Sequence, residues 1–118
     1  MKKTTLIVLT SILIGCTSAN EEDLVDTTPL PDLVTYNGQV KSIIDNNCIH
    51  CHANPPQNGA PMPLLTYENV KEAVENRGLL NRISSMDLNF LMPFGGPRLP
   101  QNLIDTIHQW EADGLLEE

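Results

Sequence analysis

The stretch Cys48-Ile49-His50-Cys51-His52 crowds two thiols and two imidazoles into five residues. Each use of such a cluster requires different company in the fold. A structural zinc site needs four ligands. A redox dithiol usually follows a strand in a βαβ setting. A disulfide needs only the two cysteines, but across two intervening residues it closes too short a loop to stabilise much. The spacing C-x-x-C-H is also the attachment signature of covalent haem, which needs an apolar pocket around it.

The rest of the chain separates these readings. For zinc, Cys48, Cys51 and one His make three ligands, and the only histidine outside the cluster is His108, with no second cysteine pair. A βαβ setting is missing, because no segment shows strand alternation. A disulfide leaves His52 without a role. The haem reading uses every group. Residues three apart on a helical turn share a face, so Cys48 and Cys51 can add to the two vinyl groups on one porphyrin edge. His52 then lies beneath the iron and ligates it. Ile49 and His50 are spacers, with His50 pointing outward.

A chain of 118 residues suits one small domain. Its single Trp, two Tyr and two Phe are few large side chains for a core, so an apolar ligand would supply mass that the residues lack. The formal charge of −8 argues against nucleic acid, whose phosphates need Lys and Arg, and against attraction to anionic lipid.

Membrane attachment is expected by another route. Lys2 and Lys3 precede an apolar run from Leu6 to Ile14, relieved only by Thr10 and Ser11. The run falls short of the about 20 residues that span a bilayer. It has the layout of a secretory signal peptide over residues 1–15. Leu13-Ile14-Gly15-Cys16 resembles a bacterial lipobox, which implies cleavage before Cys16 and lipid on its thiol. The mature chain would hold five basic against fifteen acidic residues, a formal −10. It would stand outside the cytoplasm, tethered to a bacterial membrane on the periplasmic side or at the cell surface. Thiols tend to oxidise there, and only Cys48 and Cys51 would remain unmodified by lipid. Residues 16–34 carry the lipidated cysteine and an acidic, proline-containing linker.

Residues 35–118 read as an all-α domain. Val40, Ile43 and Ile44 fall at helical spacing ahead of the cysteine cluster, with Thr35 or Asn37 as cap. Four prolines and a glycine make 53–65 a loop. Thr66 can cap a second helix with Tyr67, Val70 and Val74 on one face and Gly78 at its end. Leu79–Ser85 suits a short helix, and the stretch from Met86 to Pro100 is loop-like. Leu103, Ile107 and Trp110 mark a last helix that Pro100 opens and Gly114 ends. The expectation is about three main helices joined by Pro/Gly-rich loops.

In order, VKSIIDNNCIHCH, PLLTYENVKEAV, LMPFGGPRLP and LIDTIHQWEADG resemble the pieces of a small monohaem class I cytochrome c, of a type carried by bacterial lipoproteins. The resemblance spans about residues 36–116. It implies a cytochrome c-like fold around one covalent haem c, with Cys48 and Cys51 as thioether anchors and His52 as proximal iron ligand. The distal ligand it implies is Met92, in Leu-Met-Pro-Phe-Gly-Gly, with Met62 second. Thioether ligation favours Fe(II) and raises the potential. A backbone carbonyl, with Pro61 favoured, would orient His52. Leu64, Leu65, Tyr67 and Val70, with Leu79, Ile83, Leu91 and Phe94, are candidates for the haem wall. Arg82 or Arg98 is a candidate partner for a propionate.

The implied function is electron transfer rather than enzymatic catalysis, since both axial positions are filled and no acid–base constellation is visible. An acidic surface suits redox partners with basic docking patches. Two alternatives stand beside it: an enzyme or sensor with five-coordinate haem, and a haem-free metal-binding or disulfide-stapled lipoprotein.

Overall fold

The structure, a computed structural model, describes residues 30–118. The expected signal peptide (1–15), the lipidation site Cys16 and the linker as far as residue 29 lie outside the described residues. The described residues are helical, with no strand among them.

Helix α1 opens as a π-helical turn over Tyr36–Val40 and continues as α-helix over Lys41–Asn47. Thr35 is its cap: its side chain accepts from Gly38 N–H, and its carbonyl accepts from both Gln39 and Val40. Gly38 is fitted to this arrangement, since a Cβ there would stand 2.8 Å from Thr35 Oγ1. Helix α2 covers Tyr67–Asn76, with the Thr66 hydroxyl accepting from Asn69 N–H and Glu68 favourably placed in its first turn. Gly78 then takes a left-handed φ of 68°, which a residue with a side chain resists. That turn redirects the chain into α3, Leu79–Ser84. Helix α4 covers Gln101–Ala112 and follows Pro100.

The apolar stripes of the four helices meet in one core. Val40, Ile43 and Ile44 of α1 join Val70, Ala73 and Val74 of α2, Leu79, Leu80 and Ile83 of α3, and Ile104, Ile107 and Trp110 of α4. Leu103 is half-buried against it. Tyr36, Tyr67 and Trp110 form an aromatic cluster, with ring centroids 5.7–6.3 Å apart. The edge-on and tilted geometries suit the ring quadrupoles.

The C-terminal tail closes this end of the fold. The first amides of a helix lack intrahelical partners. Those of Tyr36 and Asn37 donate instead to the carbonyls of Leu116 and Glu117, each at 2.9 Å. Trp110 Nε1 donates to Leu116 O at 2.7 Å and Tyr67 Oη to Leu115 O at 2.8 Å. Packing begins at Val34, fully buried, whose amide donates to Asp113 Oδ2. This is one residue ahead of the expected domain start.

Candidate functional site

The cysteine cluster begins where α1 runs out. Cys48 is the helix's C-cap and donates to Ile44 O. The amides of Cys51 and His52 then both turn back to Cys48 O, at 3.2 and 3.0 Å. One tight turn therefore brings Cys48, Cys51 and His52 to the wall of the same cavity. Both cysteines carry free thiols. Burial, with a smaller contribution from neighbouring Cys51, pushes the Cys48 thiol up to about 11, so it is held protonated at neutral pH.

His52 is buried, 9% exposed, and held at two points. Its carbonyl accepts from Leu64 N–H at 2.8 Å, and its Nδ1 lies 2.8 Å from the carbonyl of Met62. The expected orienting residue, Pro61, is therefore displaced by one position. The backbone bond between His52 and Leu64 sets the register in which the Met62 carbonyl faces the ring. A carbonyl can only accept, so Nδ1 is the donor in this bond, and in the neutral ring Nε2 is the nitrogen that carries the lone pair. His50 is exposed. His108 is also exposed, on α4, with Nε2 3.0 Å from Ser84 Oγ. Neither lines the cavity.

The cavity has a volume of ≈ 600 Å³, inside the roughly 300–1,000 Å³ typical of ligand sites. Leu64, Leu79, Ile83 and Phe94 line it as anticipated. Tyr67 and Val70 are instead drawn into helix packing, Leu91 is buried away from the cavity, and Leu65 is exposed. Ile44, Leu99 and Ile107 complete the apolar wall. Ile44 and Ile107 serve core and cavity together, because a helix's apolar stripe is wide enough to face both.

Both candidate sulfur ligands, Met62 and Met92, line the cavity. Met92 is placed by its amide, which donates to Arg82 O at 3.1 Å. Two cations reach the wall, Arg77 and Arg82, and no carboxylate does. Arg82 lies 4.4 Å over the Phe90 ring. Arg98, the other propionate candidate, is turned toward Ser84 O and Gln101 Oε1 and does not line the cavity. Arg77 went unrecognised in the sequence because it follows α2 and belongs to no periodic face.

Among the described residues, no three His, Cys, Asp or Glu side chains converge on a point that could hold a metal ion, so the zinc reading finds no ligand set there. No helix among them is long and apolar enough to cross a membrane. Comparison with protein-family models, curated proteins and solved structures finds no match.

Proposed function

We propose that the chain is an extracytoplasmic carrier of one covalent haem c, with a cytochrome c-like fold and a lipid tether at Cys16, and that it passes single electrons between partner proteins. The observation that carries this reading is His52: buried, fixed through Nδ1 to the Met62 carbonyl, and sharing a cavity wall with Cys48 and Cys51.

The residues fit the group. A mostly apolar cavity suits a porphyrin, and two arginines without a carboxylate suit a ligand bearing acid groups. Cys48 and Cys51 would hold the porphyrin edge through thioethers. His52 would present Nε2 to the iron, its basicity supported by the Nδ1–H···O=C bond. Met92 would supply the second protein ligand in this reading. Met62 is the weaker candidate because its own carbonyl is committed to His52. When bound, the haem iron supplies the one-electron couple. The protein's part would be to exclude water from it, hold it through Cys48, Cys51, His52 and Met92, and set the local charge.

Haem staining of the matured protein on a denaturing gel tests the reading. We expect a stained band that is lost in Cys48→Ala/Cys51→Ala. An unstained wild-type band, after expression with a haem-attachment system, would refute it. Reduced protein should resist CO at neutral pH, Met92→Ala should bind it promptly, and Met62→Ala should behave as wild type. Prompt CO binding by the wild type would instead assign an open coordination position.

A further inference from the structure

We infer that Asn58 is a positioning residue for Cys51: the turn over residues 57–60 carries its side-chain amide onto Cys51 Sγ and holds that sulfur at the cavity wall. The inference rests on the haem-carrier reading and adds to it a residue outside the C-x-x-C-H cluster.

Cys48 and Cys51 are placed by different means. Cys48 ends α1, and the helix itself fixes it through the bond from its amide to Ile44 O at 2.8 Å. Cys51 lies beyond the helix and needs a second support, which the chain supplies by doubling back. Gln57 N–H donates to Cys51 O at 2.7 Å, and Ala60 N–H closes the turn onto Gln57 O at 2.9 Å. Asn58 and Gly59, the two central residues, have φ of 51° and 78°. Two positive φ values in succession mark a type I′ turn, and Asn-Gly is a preferred pair for it. The backbone alone would accept Gly or Asp in place of Asn. The carboxamide has a further use: its Nδ2 stands 3.5 Å from Cys51 Sγ and donates to it. Sulfur is a weak acceptor, so this bond counts for direction rather than strength. Asn58, Gly59 and Ala60 line the cavity together with Cys51, so the turn and the sulfur share one wall.

The bonds that place Cys51 all lie within residues 48–60. Contacts this local form without waiting for helices distant in sequence to pack, so the contiguous chain presents this thiol early. Attachment needs that presentation. Cys51 adds its S–H across a vinyl group of the porphyrin edge: an S–C and a C–H bond form, the S–H bond and the C=C π bond are lost, and no oxidant is consumed. The thioether sulfur keeps lone pairs, so the bond from Asn58 outlasts the reaction. Without that bond Cys51 turns among its staggered χ1 positions, and the second link to the porphyrin forms less often.

The test uses the full chain and two variants. Asn58→Gly keeps the left-handed backbone and removes the donor. Asn58→Asp keeps the size, but an ionised carboxylate only accepts. After maturation, both should raise the share of chains held by a single thioether several-fold over wild type. The pyridine haemochrome band reads this, since it moves to longer wavelength when one vinyl group stays unsaturated. Iodoacetamide should then label Cys51, identified by peptide mass spectrometry, and leave Cys48 unlabelled. Two full thioethers in both variants, or label on Cys48, would overturn the assignment. A second readout does not involve haem. In isotope-labelled chain before attachment, Cys51→Ala should shift the side-chain amide resonance of Asn58, and Cys48→Ala should shift it far less. A resonance indifferent to Cys51→Ala would overturn the contact whatever the haem content. A wild-type chain that takes up no haem while that resonance responds would remove the carrier reading and uphold the hold of Asn58 on Cys51.

Discussion

Replacing Trp110 should loosen the cavity from a distance. The side chain is fully buried on α4, tilted or edge-on to Tyr36 and Tyr67 at 6.0 and 6.3 Å, and donates to Leu116 O. Trp110→Ala removes the largest fully buried side chain and leaves a void at the joint of α1, α4 and the tail. Truncations of this kind cost about 3–5 kcal/mol, a large share of the roughly 5–15 kcal/mol that holds a domain together. Trp110→Phe keeps most of the bulk. Leu116 O is not orphaned by the change, because it still accepts from Tyr36 N–H. The hydrogen bond then costs about 1 kcal/mol and the smaller ring roughly another. Urea unfolding followed by far-UV circular dichroism, together with the haem band that the proposed function expects, measures both variants without relying on the lost fluorophore. Ile107, one turn away on the same helix, lines the cavity, so in the proposed haem-bound form Trp110→Ala should also perturb the haem band below the unfolding midpoint. A loss under about 1 kcal/mol for Trp110→Ala, or equal losses for Ala and Phe, would refute this account of the joint.

Three further outcomes are expected. Asp113→Ala leaves the amide of fully buried Val34 without its acceptor and should cost about 1–3 kcal/mol by urea unfolding. Thr66→Ala removes the cap of α2 and should cost about 1 kcal/mol, with Thr66→Ser close to wild type. Arg77→Gln and Arg82→Gln each withdraw a cation from the cavity wall. In the proposed haem-bound form each should lower the midpoint potential in a redox titration, because removing positive charge favours Fe(III) over Fe(II).

Much of the local architecture was legible because it rests on local chemistry. The Thr66 cap, the Gly78 turn and the α4 stripe of Ile107 and Trp110 each follow from residue type and spacing, and the helices stand where those signals fall; at α1 spacing left Thr35 and Asn37 both open, and the structure uses Thr35. The cavity wall was less legible. Tyr67 and Val70 share a helical face with each other, but periodicity cannot say whether that face meets a ligand or a neighbouring helix. Here the aromatic cluster claims Tyr67. Similarly, Pro61 and Met62 are adjacent candidates for His52, and the His52–Leu64 backbone bond chooses between them.

By itself, the sequence determined that Cys48, Cys51 and His52 share one turn, because three- and four-residue separations are fixed by the backbone. It also determined that helices rather than strands surround them. Tertiary structure alone decided what depends on contacts distant in sequence. It folded the Leu115–Glu118 tail onto the open amides of α1 and brought Met92 and Arg77 to the cavity that holds His52. These are matters of which surfaces meet, and one-dimensional spacing carries no information about that.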